Sequence, residues 1–157
     1  MRIKRLKSLK GLSLIEVLVT VSIFTGVALI ALPFGVSQLG RQRTQAGAED
    51  IASSLALAQQ FAKTGLEDSA YGIAFTQGED SYTVFRGTSL ADASWSEVSL
   101  INGGAEVSEI EFAGENEVVF PPGELAPVNE GQIIIGEDED SYLLSINSEG
   151  LINYERL

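Results

Sequence analysis

The 157-residue chain, 45% apolar and with a formal charge of −12, has room for one core-bearing domain and an N-terminal extension. It contains neither cysteine nor histidine, which excludes disulfides, thiolate sites, the usual zinc centres and Ser-His-Asp or Cys-His nucleophiles. Beyond Arg43, 21 acids face three bases, and that charge of −18 repels phosphate backbones, so nucleic acid is not an expected partner.

The bases are concentrated at the start. Arg2, Lys4, Arg5, Lys7 and Lys10 are five of the ten, and all precede Gly11. From Leu12 to Val36 the one charge is Glu16. A helix over these 25 residues would reach about 37 Å at ~1.5 Å per residue, against ~30 Å of hydrocarbon, so residues 12–36 read as a transmembrane helix. The cationic cluster ahead of it places the N-terminus in the cytoplasm and the acidic domain outside, a single pass through the cytoplasmic membrane. A cleaved signal peptide would have a shorter apolar core and a small-residue cut site, which Ala28 to Ala31 imitate loosely. A plain signal anchor is the simpler alternative. Against it stand Gly11 at the junction of charged and apolar segments and Glu16 five residues later. A carboxylate costs about 2.5–3.5 kcal/mol near mid-bilayer and calls for a partner. Gly26 and Pro33 lie inside the run, where they disfavour a regular helix.

From Thr44 to Lys63, Ala48, Ile51, Ala52, Leu55, Ala58 and Ala62 recur at spacings of three and four, the stripe of an amphipathic helix. Lys63 in its last turn and Gly65 just beyond mark its end. One helix is therefore expected from Leu12 to about Thr64, its second half packed on a sheet. Tyr71, Ile73 and Phe75 alternate with small or polar residues, Gln77–Asp80 reads as a turn, and Tyr82, Val84 and Phe85 return, predicting a hairpin over 70–86. Further strands are predicted at Trp95–Leu100, Glu106–Phe112, Glu117–Phe120, Gln132–Ile135, Tyr142–Ile146 and Leu151–Tyr154, with a long break at Pro121-Pro122-Gly123. Strand alternation predicts that most of Trp95, Tyr71, Tyr82, Tyr142 and Tyr154 are core or half-buried.

Gly11-Leu12-Ser13-Leu14-Ile15-Glu16 resembles the processing signature of type IV prepilins and pseudopilins. The order downstream, an alanine-rich helix, a Tyr-Gly-Ile-x-Phe hairpin and a final Ile-Asn-x-x-Gly-x-Ile hairpin, is similar to the H-type minor pseudopilins. The resemblance implies an α+β, pilin-like fold: a long N-terminal helix, its first half transmembrane, packed on a C-terminal antiparallel β-sheet domain. It implies a leader over 1–11 removed by prepilin peptidase between Gly11 and Leu12, N-methylation of Leu12, a filament-core helix over 12–36, its amphipathic continuation over 37–65, and an extracytoplasmic domain over 66–157. Glu16 would then pair with the new α-amino group of a neighbouring subunit. Gly26 and Pro33 would loosen the helix on assembly, or simply kink it. The implied partners are other pilin or pseudopilin subunits, the peptidase, assembly-platform proteins and the cytoplasmic membrane. Leu12 and Ser13 stand where phenylalanine and threonine are commoner, so the subtype stays open.

Glu137-Asp138-Glu139-Asp140 is the densest acidic run. Glu137, Asp138 and Asp140 are candidate Ca²⁺ ligands, but four consecutive side chains cannot converge on one ion, and a solvated hairpin turn is the simpler reading. No catalytic constellation stands out, so the chain reads as a structural subunit of a type IV pilus, competence pilus or type II secretion pseudopilus, needing no cofactor and not acting as an enzyme. The alternatives are an anchored extracellular binding module outside any filament, or an envelope enzyme using carboxylates.

Overall fold

The computed structural model describes residues 13–113, 115–136 and 140–157, and their side chains except those of 29–39. Two compact units divide the chain, Met1–Gln38 and Leu39–Leu157. The helix α1 is Leu14–Lys63. Its described side chains form two helical stretches, 14–28 and 40–63, one in each unit.

The expected membrane span is corrected here. Among the described residues no helix is long and apolar enough to cross a membrane. The stretch 14–28 has 15 residues, about 22 Å at ~1.5 Å each, short of the ~30 Å that a span requires. The fold expectation of one long helix with a transmembrane first half packed on the sheet domain is replaced by these two helical stretches and two antiparallel sheets. The single-pass placement in the cytoplasmic membrane falls on the same finding.

In the second unit the stripe read from the sequence is the buried face. Ala48, Ile51, Leu55, Ala58 and Ala62 are buried and meet Tyr71, Ile73, Phe75, Val107, Val118, Phe120, Ile133, Ile135 and Leu144 in one core. The helix stops at Gly65, whose left-handed φ of 64° suits a residue without Cβ, and whose N–H donates to Ala62 O at 3.0 Å.

Eight strands follow: β1 (Tyr71–Phe75), β2 (Ser81–Arg86), β3 (Trp95–Leu100), β4 (Val107–Phe112), β5 (Glu117–Phe120), β6 (Gly131–Ile135), β7 (Tyr142–Ile146) and β8 (Ile152–Arg156). They form two four-stranded sheets, β3-β2-β1-β5 and β4-β6-β7-β8, with every pairing antiparallel. The predicted hairpin is β1–β2, with Tyr71 opposite Arg86 and Phe75 opposite Tyr82. Residues from both sheets enter the same core, so the 40–63 stretch serves both. Polar pins reinforce this: Ser54 and Tyr82 share a hydroxyl hydrogen bond of 2.7 Å, Tyr82 reaches Asp50 at 3.3 Å, and Gln59 donates to the carbonyls of Leu125 and Gly150.

The far face of the first sheet carries a smaller cluster of Ala70, Phe85 and Val119. Gly72 admits it: a Cβ there would stand 2.5 Å from the Phe85 ring and 2.7 Å from Val118 O. Of the aromatic residues expected to be core or half-buried, Tyr71 and Tyr82 are buried and Tyr142 is half-buried, but Trp95 and Tyr154 are exposed. Both lie on edge strands, β3 and β8, which have a neighbour on one side only.

Candidate functional site

Two places stand apart from the core. The first is the helical stretch 14–28. It begins as Ser13 O accepts the N–H groups of Glu16 and Val17 at 3.0 and 3.2 Å. Glu16, in the first turn, is placed where the helix dipole favours a negative charge. The hydroxyls of Thr20, Ser22 and Thr25 donate to the carbonyls of Glu16, Leu18 and Val21, four residues earlier, at 2.7–2.8 Å. Its hydroxyls are therefore turned back onto its own backbone. Glu16 apart, what faces outward carries no charge and is mostly apolar: Leu14, Ile15, Val17, Leu18, Val19, Val21, Ile23, Phe24 and Val27 are exposed, Phe24 at 71%. Neither core cluster includes any of them.

Of the residues singled out in the sequence, Glu16 and Gly26 lie on this stretch, both exposed, and a Cβ at Gly26 would meet nothing within 4 Å. Gly11 and Leu12 lie outside the described residues, and Pro33 lies outside those with described side chains. Glu137 and Asp138 also lie outside the described residues. Asp140 is described and is held by two guanidiniums, Arg41 at 3.0 Å and Arg156 at 3.4 Å. Among the described residues no group of three His, Cys, Asp or Glu could hold a metal ion.

The second place is a cleft of about 440 Å³ whose walls include Thr88, Ser89, Glu115, Glu117, Val119 and Asn129. The strand period of two puts Glu117 and Val119 on the side of β5 opposite to Val118 and Phe120, which go into the main core, and Glu115 lies in the turn just before the strand. Glu117 is only 8% exposed. One of its carboxylate oxygens accepts the Leu90 N–H at 3.0 Å. Burial pushes its carboxyl above the ordinary glutamate range; the Leu90 hydrogen bond partly offsets this, and the charge and hydrogen bond of Glu115 add to the rise. Asn129 donates its amide N–H to Glu117 O, which fixes the orientation of the amide, and its buried Oδ1 has no hydrogen-bond partner among the described residues.

This cleft was not singled out in the sequence. Its visible signal is a pair of glutamates two apart, entering a buried strand, and that pair is one among many carboxylates in an acidic chain.

No family profile, curated protein or solved structure matches the chain.

Proposed function

We propose that the chain is a subunit, of the minor kind, of a filament of the type IV pilin and pseudopilin class, cut after Gly11 and assembled by packing its 14–28 helical stretch against those of neighbouring copies. The observation that carries this reading is the juxtaposition of a pilin-like processing signature at Gly11–Glu16 with a helical stretch that is exposed throughout and, but for Glu16, uncharged and mostly apolar. An apolar surface of that kind marks an association site, because monomeric proteins seldom leave one uncovered. The acidic unit that follows has its own core, and neither core cluster includes a residue of the stretch.

In this reading Glu16 selects the register. Cutting after Gly11 frees an α-amino group at Leu12, a cation at neutral pH, and packing helices leaves the carboxylate unpaired unless such a group meets it. The protein would act through assembly with its own kind and with the assembly machinery, not through catalysis.

The test is mass spectrometry of the N-terminus of the chain recovered from cells that contain a prepilin peptidase. The expected chain begins at N-methylated Leu12, and Gly11→Arg abolishes that product. An intact Met1, a cut beyond Ala31, or full processing of Gly11→Arg would overturn the proposal.

A further inference from the structure

Strand β3 is an edge of the first sheet and lies wholly in the second unit, so its properties are independent of the filament reading. Ile101 N–H donates to Asp80 O at 2.7 Å, and antiparallel pairs alternate between bonded and non-bonded, so the backbone of Trp95, Glu97 and Ser99 is turned to β2. The N–H and C=O groups of Ser96, Val98 and Leu100 therefore point out of the sheet. Edges are commonly blunted by charges, proline, a bulge or a covering segment. The other three edge strands show such devices. Val128 N–H bonds to Val119 O beside β5; β4 has a bulge between Val107 and Glu109, and the Gln77 amide donates to Ser108 O; β8 carries Glu155 and Arg156. In contrast, β3 keeps one register from Trp95 to Leu100, has no proline and one charge, Glu97, and leaves Val98 and Leu100 67% and 73% exposed.

A pocket opens at one end of this edge. Tyr71 lies opposite Arg86 and Arg86 opposite Trp95, one row across three strands. With Phe61, Leu66 and Glu67 they line a cavity of about 310 Å³. The Phe61 and Tyr71 rings are 5.5 Å apart, Trp95 is exposed, and the guanidinium of Arg86 is engaged by Glu67. A strand added beside β3 would extend that row by one place and set a side chain next to Trp95, at this aromatic cavity. Two residues along on the same face stands the exposed Glu97, which forms no ion pair among the described residues.

We infer that β3 binds an extended cationic peptide segment of another protein, added antiparallel at the free edge. Its aromatic side chain sits beside Trp95, a lysine or arginine lies opposite Glu97, and apolar side chains lie opposite Val98 and Leu100. Main-chain hydrogen bonds to Ser96, Val98 and Leu100 supply affinity, and the alternating side chains supply choice. Charge decides the kind of partner. A second copy would bring its own −18 against this one, whereas a basic segment is complementary to it.

The probe is the synthetic peptide Val-Lys-Val-Lys-Thr-Phe, capped at both ends and labelled with rhodamine. Its phenylalanine falls opposite Trp95 when its valines oppose Leu100 and Val98. Titrated with the full chain, dispersed in mild detergent at about 0.15 M salt, its fluorescence anisotropy should give a dissociation constant of about 10–100 μM. Val98→Pro removes an N–H that faces solvent, which an edge strand tolerates, so β3 stays in the sheet while the added strand loses a bond. Binding should weaken about tenfold or more with the unfolding midpoint unchanged. Glu97→Lys, at an exposed position, should weaken it as much, whereas Glu155→Lys on β8, the same change in net charge, should leave it within about twofold. No binding up to about 1 mM would overturn the inference. So would equal binding of the peptide with glutamate in place of lysine, binding that either Val98→Pro or Glu97→Lys leaves intact, or an equal loss from Glu155→Lys.

Discussion

Phe24→Ala tests the assembly stretch where the expected effect is largest. Phe24 is 71% exposed and sits mid-way along a stretch that contributes nothing to either core cluster. Alanine keeps the helix, being the best helix former, so the substitution removes surface and little else. Full burial of a phenylalanine side chain is worth about 1.5–3 kcal/mol. Covering the roughly seven-tenths still exposed gives about 1–2 kcal/mol per subunit, a five- to thirtyfold rise in the concentration needed for assembly. The assay is sedimentation of the processed chain over a concentration series, with the unfolding midpoint of the same samples alongside. The critical concentration should rise while the midpoint stays put. Leu100→Ala is the control: Leu100 is 73% exposed, but it lies on edge strand β3. An unchanged critical concentration for Phe24→Ala, or an equal shift for Leu100→Ala, would refute assembly through the 14–28 stretch.

Two further outcomes follow from the second unit. Leu55 is fully buried in the core shared by both sheets, so Leu55→Ala should cost about 2–5 kcal/mol, read as a lower urea midpoint with an unchanged slope. Glu117 has a folded-state pKa raised above its unfolded value, so the folded chain holds the proton more tightly than the unfolded one. Its contribution is fully present below the ordinary glutamate pKa and is lost as pH rises through the raised value. Glu117→Gln should flatten that fall in a series of denaturant melts, and an unaltered pH slope would show that Glu117 is not its source.

The strands were legible as runs of β-branched and aromatic residues between turn signals, even where burial does not alternate, as in β5, buried throughout, and β3, largely exposed. Trp95–Leu100, Glu117–Phe120 and Tyr142–Ile146 coincide with β3, β5 and β7, and the stripe from Ala48 to Ala62 coincides with the buried helix face. Sheet order was not legible. Alternation reports which way a side chain faces, not which strand lies beside it, and β1 takes β5 as its second neighbour across β2, β3 and β4. The apolar run misled for a related reason. Hydropathy says that a segment avoids water, but it does not name what covers the segment, and among the described residues no helix is long and apolar enough to cross a membrane. The cleft was invisible because Asn129 reaches Glu117 only through the long return after Pro121-Pro122-Gly123, where Val128 N–H donates to Val119 O at 2.8 Å.

The charge distribution and the exposed stretch constrain each other. Beyond Arg43 a charge of −18 makes copies of the folded unit repel, so the proposed association would run through a surface that carries little charge. Residues 14–28 meet that need with one exception, Glu16. Packing these stretches together in many registers would bury the same apolar side chains to similar advantage, since hydrophobic contact is non-directional. In the proposed filament, burying Glu16 would cost several kcal/mol in any register that offers it no cation. A lone carboxylate on an otherwise uncharged surface would then add little to the strength of association and decide its geometry. Glu16→Ala should accordingly leave the apolar stretch adhesive while removing the preference for a single register, so that the processed chain aggregates without forming a regular filament under the electron microscope. Regular filaments from Glu16→Ala would show that the register is set by side-chain packing alone.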